Sequence, residues 1–306
     1  GVDEDDELID PLASGVAANA NAQLAAGGVP AMFLYDQIDP GQLEVKQSSV
    51  LGFTVGASYA INEMWSVALG TRYSTGTREF DGSATISATN PLPGGLNAPL
   101  TPSINLEEDA SGWAGIVGVN FAPTDKLNTS FTFISNTKME YDMTVNRDTL
   151  GIAPALGFAQ GSKRRIDIPG QLGFGASYRF LPELKVDFNY TLYLEDAASI
   201  DTYEDEGDSW DLGLSAEYTF NPGWKASLGY LMTDIALADD QQFNEPEEPK
   251  LSANALAGGV VWSATTALDV TLAAAYIWYD SVTDSRGIEY GKTVTNISAG
   301  IQYKFF

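Results

Sequence analysis

Apolar and polar side chains alternate along most of the chain after residue 47, with the two-residue period of a β-strand. Between Phe53 and Ile61 every second residue is apolar or aromatic, and the residues between them are small or polar. The same division recurs in windows that begin at Trp65, Trp113, Leu127, Leu172, Leu184, Trp210, Trp224, Leu256, Leu268 and Ile297. We therefore predict about eleven strands, each of roughly ten residues or more.

The length of these strands distinguishes a soluble β-protein from a barrel in lipid. Strands of soluble domains usually have about 5–6 residues, whereas a tilted strand that crosses a bilayer needs about 9–11. Trp, Tyr or Phe repeatedly lies at the ends of the apolar stripe, as in the aromatic girdles of membrane barrels. In a closed barrel every backbone amide is hydrogen-bonded within the protein, which is required in the hydrocarbon core of a membrane because no water is available there. The predicted fold class is all-β, a transmembrane antiparallel β-barrel, and a soluble β-protein is the alternative.

Connections between the predicted strands are of two kinds. Tight turns alternate with longer polar stretches; the turns lie at 61–63, 122–125, 181–183, 221–223 and 263–266, and the long stretches at about 80–111, 145–166, 198–208, 238–250 and 282–290. Outer-membrane barrels have the same asymmetry, with short periplasmic turns and long external loops. We therefore predict a protein of the bacterial outer membrane, whose last strand ends at the periplasmic face.

The chain divides into two predicted regions. Residues 1–46 are expected to form an external segment, and residues 47–306 the barrel strands with long external loops. The Ala-rich stretch from Leu12 to Ala26 favours a short helix, which Gly27 and Gly28 would end. Bacterial single-chain barrels have an even number of strands. Since eleven are visible, we expect them to be the C-terminal part of a larger barrel, with further strands before residue 1.

Composition removes several classes of function. The chain has 16 Lys+Arg against 41 Asp+Glu, a formal charge of −25, and neither Cys nor His. No Ser-His-Asp or Cys-His nucleophile and no Cys/His zinc site can be built, and the acidity opposes binding to nucleic acid. We therefore expect no enzyme, no cofactor, no metal site and no nucleic-acid partner. No window approaches the ~18 consecutive apolar residues of a transmembrane helix.

Several segments follow the order of one family of outer-membrane transporters. They are the strand–turn–strand stretch 57–70, Ile166-Asp167-Ile168-Pro169 before a strand ending Gly175-Ala176-Ser177-Tyr178, Asp187-Phe188-Asn189-Tyr190-Thr191, the Pro-containing loop 245–250, and the closing Tyr303-Lys304-Phe305-Phe306. In these segments the chain resembles the FadL-type transporters, which carry long-chain fatty acids and, in the TodX branch, aromatic hydrocarbons. The likeness runs from about residue 48 to residue 306.

The resemblance implies a fourteen-stranded barrel whose lumen holds an N-terminal hatch. Counted back from the end, the strand from Gly52 corresponds to the fourth strand of the family, so the hatch and three strands are expected outside this chain. The implied function is passive uptake of hydrophobic small molecules, long-chain fatty acids or aromatic hydrocarbons, across the outer membrane. A general or ion-selective diffusion porin is the alternative, and a structural or adhesive barrel is a third class.

Candidate ligand-binding residues come from the polar row and from the leading loops. Arg72 and Arg179 face the predicted lumen, where a guanidinium could hold a ligand carboxylate, or where charges could pair to keep the barrel rigid. Four apolar residues of the 145–166 stretch, together with 32–35, could form an external mouth for a hydrophobic small-molecule ligand, or pack the loops together; the four are Leu150, Ile152, Leu156 and Phe158.

The remaining candidates concern the membrane and assembly. The last strand has the spacing of an outer-membrane assembly signal, in Ser298, Gly300, Tyr303, Phe305 and Phe306, and would bind the barrel-assembly machinery by strand addition. Acidic runs in the external loops could bridge through divalent cations to lipopolysaccharide, or form a solvated surface. The basic cluster 163–165 is expected near lipid phosphates as an interface anchor.

Overall fold

Antiparallel β-strands dominate the computed structural model, which describes residues 6–151, 153–156, 158–199, 207–236, 251–283 and 289–305. One α-helix, α1 (Asp6–Ala26), precedes the strands, and 3-10 turns lie at Ala31–Phe33 and Ala153–Leu156. The strands are β1 (Gln37–Ala60), β2 (Trp65–Ser87), β3 (Ser103–Phe121), β4 (Leu127–Ile134), β5 (Glu140–Asp148), β6 (Lys163–Arg165), β7 (Gly170–Arg179), β8 (Leu184–Leu194), β9 (Trp210–Asn221), β10 (Trp224–Asp234), β11 (Ala253–Ser263), β12 (Leu268–Tyr279), β13 (Val282–Thr283), β14 (Glu289–Tyr290) and β15 (Thr293–Tyr303).

Eleven strands follow one another in a single hydrogen-bonded order within the described residues, β1-β2-β3-β4-β7-β8-β9-β10-β11-β12-β15. They are the eleven that the alternation predicts, so this prediction is confirmed. Two shorter strands lie off this path, with β5 pairing to β3 and β6 pairing to β5. The sheet branches at β3, where residues 116–121 pair with β4 and residues 104–109 pair with β5.

Strands extend into two of the predicted loops. The stretch 80–111 contains the end of β2 and the start of β3, and the stretch 145–166 contains the end of β5 and all of β6. The prediction ended β2 too early because its apolar residues change parity: they lie at odd positions up to Tyr73, whereas Phe80, Ala84 and Ile86 lie at even positions and alternate with polar residues. Strand β1 likewise begins at Gln37, ten positions before the alternating pattern starts.

Three of the tight turns, at Asn62, Thr124 and Thr265, share one device, a side-chain oxygen that accepts backbone N–H groups at or just before the start of the next strand. Asn62 Oδ1 accepts from Met64 and Trp65 at 2.8 Å each. Thr265 Oγ1 accepts from the N–H of Ala267 at 3.2 Å and of Leu268 at 3.0 Å. Asn and Thr suit such turns because their short polar side chains reach the backbone locally. We call this end of the strands the turn end and the other the loop end.

The chain forms two compact units, and β1, β2 and β3 contribute to both. Unit 1 comprises Gly1–Gly52, Ser74–Gly112 and Met139–Arg165, and unit 2 comprises Phe53–Tyr73, Trp113–Lys138 and Ile166–Phe306. In unit 1, a small core contains Val16, Ala17, Tyr35 and Ile86. Helix α1 ends at Gly27 and Gly28, where Gly28 has φ +80°, and the N–H of Val29 returns to Leu24 O at 3.1 Å.

In unit 2 the two faces of the sheet differ in chemistry. The apolar face is exposed, with Phe53 at 65% and Ile297 at 78% of their full accessibility. Nearly perpendicular aromatic pairs lie on this face at the turn end of β7, β9 and β15, namely Tyr178–Phe180 at 4.7 Å, Tyr218–Phe220 at 5.0 Å and Tyr303–Phe305 at 5.0 Å between ring centres. Such a face is suited to lipid, with its aromatic rings at the interface. Among the described residues, no helix has the length and apolarity required to cross a bilayer.

Candidate functional site

Four strands of unit 1 bring charged side chains onto one buried face. The strand period places Arg78 of β2 on the face that also carries Ser74 and Gly76, and all three are buried. On β3 the same period places Glu108 beside Ile104 and Leu106. Strands β5 and β6 contribute Tyr141 and Arg164, which are directly opposite each other. We call Arg78, Glu108 and Arg164 the Arg–Glu–Arg cluster.

Glu108 is the anionic centre of this cluster. Its side chain is 1% exposed, and its Oε2 lies 2.6 Å from Nη2 of Arg164, whose side chain is 30% exposed. Arg78 is buried and acts on the Tyr141 hydroxyl electrostatically together with Glu108 and Arg164. Burial is the main reason why the pKa of the Tyr141 hydroxyl is raised above its usual value, so this phenol remains neutral. The Arg–Glu–Arg cluster therefore carries two positive charges and one negative charge.

Three buried atoms of the cluster have no hydrogen-bond partner, namely Arg78 Nε, Arg164 Nε and Glu108 Oε1. Nearly all buried polar atoms in proteins are hydrogen-bonded. Two N–H donors and one carboxylate acceptor are thus available on the buried face of unit 1. Each donor lacks an acceptor oxygen among the described residues.

An apolar cluster lies next to these charges in the same unit. Its buried residues are Ile104, Leu106, Met143 and Ala153, and Phe80, Val145 and Phe158 pack against it. The guanidinium carbon of Arg78 lies 5.5 Å from the centre of the Phe80 ring, within the range of a cation–π interaction. Phe80 therefore joins the apolar cluster to the Arg–Glu–Arg cluster.

A second polar network lies on the opposite face of the same strands. Asn105 Nδ2 donates to Glu79 Oε1 at 3.2 Å and to Asp81 Oδ2 at 3.1 Å. Arg147 Nη2 lies 2.6 Å from Asp81 Oδ1. These contacts link β2, β3 and β5, and the Arg147–Asp81 pair contributes little to their stability because the Arg147 side chain is 46% exposed.

The two arginines predicted as ligand-binding residues lie in unit 2, at separate places. Arg72 Nε donates to Thr54 Oγ1 of the neighbouring strand at 3.2 Å. Arg179 is the last residue of β7 and is exposed, directly opposite Lys185 of β8. Other charges of the polar face form ion pairs, for example Lys185 with Asp187 of the same strand at 3.1 Å.

The apolar residues predicted to form an external mouth are described only in part. Leu150 is 43% exposed, whereas Phe158 packs against the apolar cluster of unit 1. The backbone of Leu156 belongs to the 3-10 turn Ala153–Leu156, and Ile152 lies outside the described residues. In the leading segment Met32 is 63% exposed and Tyr35 is buried.

Residues of the predicted assembly signal lie on or next to the last strand. Ser298, Gly300 and Tyr303 belong to β15, which pairs with β12. Phe305 follows, with its ring against that of Tyr303. Phe306 lies outside the described residues.

Sequence reasoning missed the Arg–Glu–Arg cluster. Glu108 fell in the stretch 80–111 that was predicted to be a loop, and Arg78 fell just before it, past the end of the predicted strand. Arg164 was expected to be an interface anchor, whereas it is paired with Glu108. A signal was present, because Arg72, Ser74, Gly76 and Arg78 continue one parity of β2. Following that parity past Tyr73 would have extended the strand.

Known structures with a similar fold are outer-membrane transporters. A Pseudomonas aeruginosa FadL homologue matches at a TM-score of 0.61 with 15% sequence identity, over 84% of this chain and 68% of that chain. The Ralstonia pickettii toluene transporter TbuX matches at 0.52 with 14% identity, over 84% and 68% respectively. The P. putida toluene transporter TodX matches at 0.51 with 12% identity, over 83% and 68%. These likenesses confirm the predicted β-barrel fold class.

Sequence comparison agrees with the fold. No curated protein matches the chain. The family model described as outer membrane protein transport protein (OMPP1/FadL/TodX) matches residues 33–302, and its members are transport proteins rather than enzymes. This match confirms the FadL/TodX resemblance of the strand and turn segments. The chain, a transporter of the outer membrane, therefore belongs to the OMPP1/FadL/TodX family.

Proposed function

We propose that the chain mediates passive uptake of hydrophobic small molecules across the outer membrane, of the class of long-chain fatty acids or aromatic hydrocarbons. The observation that carries this proposal is the position of Phe80, which packs against the apolar cluster and lies near the Arg78 guanidinium. An apolar wall next to a net positive cluster suits a molecule with an apolar body and one anionic head. Of the two substrate types, the arrangement favours the fatty acid.

The Arg–Glu–Arg cluster supplies the contacts for such a head. A carboxylate has acceptor oxygens for the Nε–H groups of Arg78 and Arg164, and guanidinium groups bind carboxylates through paired hydrogen bonds. Glu108 holds Arg164 in place through its other oxygen and limits the positive charge, so that the ligand is bound reversibly. The proposed role involves no covalent chemistry and no cofactor.

Named relatives support an apolar cargo. Two of the similar structures are described as toluene transporters, TbuX and TodX, and a third is a FadL homologue. A pocket that serves either cargo needs the apolar wall, whereas only the fatty acid needs the guanidinium groups. The two cargoes therefore make different demands on Arg78.

The experiment compares oleate and toluene flux in proteoliposomes that contain the full chain. Arg78→Gln is expected to lower the oleate flux about tenfold, the equivalent of roughly 1.4 kcal/mol, because the carboxylate loses a charged donor. Toluene flux is expected to remain within about twofold of wild type. Arg147→Gln is the matched control, since it removes the same charge from unit 1 on the opposite face.

Folding is checked by far-UV circular dichroism, because Arg78 is buried. If Arg78→Gln does not fold, Arg164→Lys retains the charge and removes the planar fork, and the oleate flux is measured with it instead. Wild-type protein that transports neither compound would contradict the proposed function. An oleate flux unchanged by both variants would contradict the role of the Arg–Glu–Arg cluster.

A diffusion channel is the second candidate, favoured by charge pairs on the polar face of unit 2. Lys185 lies 3.1 Å from Asp187, and Lys225 lies 3.5 Å from Glu217. A hydrated row of this kind would pass ions. Large single-channel conductance in planar bilayers, with no preference for oleate or toluene, would favour this candidate.

Three interaction partners follow from the same assignment. We propose that the exposed apolar face of unit 2 contacts membrane lipid, and that β15 with Tyr303 and Phe305 binds the barrel-assembly machinery. Acidic runs at 3–7, 204–208, 239–240 and 245–248 lie largely outside the described residues. For these runs, bridging to lipopolysaccharide through divalent cations remains a prediction, with a solvated acidic surface as its alternative.

A further inference from the structure

The ion pair between Arg164 and Glu108 is only half of a bidentate contact. Nε and Nη2 are the two donors on one side of a guanidinium, and a carboxylate that faces them can bind both. Here Arg164 Nη2 lies 2.6 Å from Glu108 Oε2, whereas Arg164 Nε and Glu108 Oε1 are buried without a hydrogen-bond partner among the described residues. Each of these two atoms is bonded to the same carbon as an atom of the contact. One small group can therefore reach both the free donor and the free acceptor.

The free oxygen of Glu108 carries the argument, because a carboxylate ligand does not provide for it. Only 1% of the Glu108 side chain is exposed, and a buried acceptor without a donor is costly. An ionised carboxylate would accept from Arg164 Nε–H, but it would also bring a second negative oxygen towards Glu108 Oε1, which is unfavourable. The group that fits this place must accept one hydrogen bond and donate another.

A hydroxyl group meets this requirement with a single oxygen, since it has one O–H donor and two lone pairs. An apolar surface for the rest of such a ligand lies on the same face of β3. Leu106, two positions before Glu108, is buried in the apolar cluster, against which Phe80 also packs. The Arg164 side chain is 30% exposed, which leaves an approach from its side of the pair.

We propose that the Arg–Glu–Arg cluster selects amphipathic ligands whose head group bears a hydroxyl hydrogen, supplied by an alcohol or by an undissociated carboxyl group. The inference rests on the proposed function and names the head group of its cargo. The head-group oxygen accepts from Arg164 Nε–H and its O–H donates to Glu108 Oε1, while the apolar chain lies against the apolar cluster. In a fatty acid this hydrogen is the acid proton, so the ligand carboxyl and Glu108 share one proton.

The test compares two ligands that differ in the hydroxyl hydrogen. Decanol and decyl methyl ether share one apolar chain and one oxygen, but the ether has no O–H. Each displaces a dansyl-labelled undecanoic acid from the full wild-type chain in detergent solution, and the dansyl fluorescence reports the affinity. Decanol is expected to bind about tenfold more tightly, because the ether leaves Glu108 Oε1 without a donor.

The two sources of the hydroxyl hydrogen are distinguished by pH. The affinity for decanoic acid should decrease from about pH 5 to about pH 8, since the head group loses its proton. The affinity for decanol should stay constant, because Arg78, Arg164 and Tyr141 keep their charge over this range and Glu108 is the only other titratable group of the cluster. Decanoic acid that binds equally at both pH values, with decanol still preferred over the ether, would assign the site to alcohols.

Glu108→Gln tests the acceptor directly. The amide oxygen can still accept from Arg164 Nη2, so the amide NH2 takes the place of the free acceptor, and the preference for decanol over the ether should disappear or reverse. Asp109→Asn makes the same change at an exposed neighbouring position and should keep the wild-type preference.

The wild-type comparison decides even if Glu108→Gln does not fold. Equal affinities of the wild-type chain for decanol and decyl methyl ether would show that solvent, not the ligand, fills the place beside Glu108 Oε1, and would overturn the inference. Wild-type protein that binds neither the dansyl-labelled acid nor decanol would contradict the proposed function itself. The two failures are therefore distinguishable.

Discussion

Glu108 Oε2 lies 2.6 Å from Arg164 Nη2, although only 1% of the Glu108 side chain is accessible to solvent. A buried carboxylate beside Arg164 and near Arg78 neutralises charge that the interior would otherwise leave uncompensated. The pair therefore joins β3 to β6, which are not neighbours in the sheet. Its removal should affect folding as well as binding.

Glu108→Gln is expected to destabilise the protein by about 2–4 kcal/mol, because two guanidinium groups lose their counter-charge in a buried site. The estimate is below the value for a fully buried pair, since Arg164 is 30% exposed. Urea unfolding followed by tryptophan fluorescence measures the change. Asp109→Asn, at an exposed neighbouring position of β3, is the control and should have little effect. Equal stability of the two variants would contradict the structural role of Glu108.

Gly76→Ala should disturb the same face by steric overlap. A methyl group at this position would lie 3.2 Å from Met139 Cε and closer still to the Tyr141 hydroxyl. Overpacking of this kind typically costs about 1–3 kcal/mol. Thermal unfolding is the measurement, and combining the change with Tyr141→Phe should restore part of the loss. At Gly115 the nearest atom to an added methyl would be 3.9 Å away, so Gly115→Ala should be tolerated. A harmless Gly76→Ala would show that the β2–β5 approach is looser than described.

Asp36 should make one contact of the leading segment depend on pH. Its Oδ1 accepts the backbone N–H of Thr89 at 2.7 Å, and this hydrogen bond is the main reason why the pKa of the Asp36 carboxyl is lowered. Because the pKa of Asp36 is lowered in the folded state, the stability that this hydrogen bond contributes is present above the unfolded-state pKa of about 3.9. It is lost as the pH falls through the folded-state pKa.

The Thr89 amide resonance, followed by NMR as pH decreases from about 6 to about 2.5, should therefore shift below about pH 4. Asp36→Asn should remove this titration and leave the amide at one position. A Thr89 resonance that titrates identically in both proteins would assign the change to another group.

Tyr303 and Phe305 should matter more for assembly than an equivalent aromatic pair elsewhere. Replacing both with Ala is expected to lower the amount of folded protein in the outer membrane, because the last strand is the proposed contact with the assembly machinery. The double change of Tyr218 and Phe220 to Ala is the control, since those rings have the same 5.0 Å separation at the turn end of an internal strand. Heat-modifiable mobility on gels measures the folded fraction. Equal losses in the two variants would indicate a general role of interface aromatics.

The spanning strands could be predicted because their pattern is set locally. A strand between lipid and a polar interior must alternate, so Phe53, Val55 and Tyr59 identify the first spanning stretch without any knowledge of its partners. Tight turns are equally local, since Asn62 and Thr265 act on residues two or three positions away. Eleven strands and their apolar face thus followed from the sequence.

The loop-end chemistry could not be predicted in the same way. Past Tyr73 the apolar residues of β2 lie on the opposite face, where Ala84 and Ile86 are buried together with the charged Arg78, so the alternation of the spanning stretch no longer indicates which side is inside. Pairing of β5 with β3 and of β6 with β5 depends on contacts far apart in sequence. Arg164 looked like an interface anchor, and only the tertiary structure brought it to Glu108.

By itself the sequence determined the strands, the turns, the apolar face and the family resemblance, because alternation and turn chemistry act between neighbouring residues. Only the tertiary structure decided which charges meet. It brought Arg78, Glu108 and Arg164 together in unit 1 and left Arg179 without an ion pair beside Lys185 in unit 2. The reason is physical: strand register and strand branching set these distances, and both depend on the pairing of whole strands rather than on any local segment.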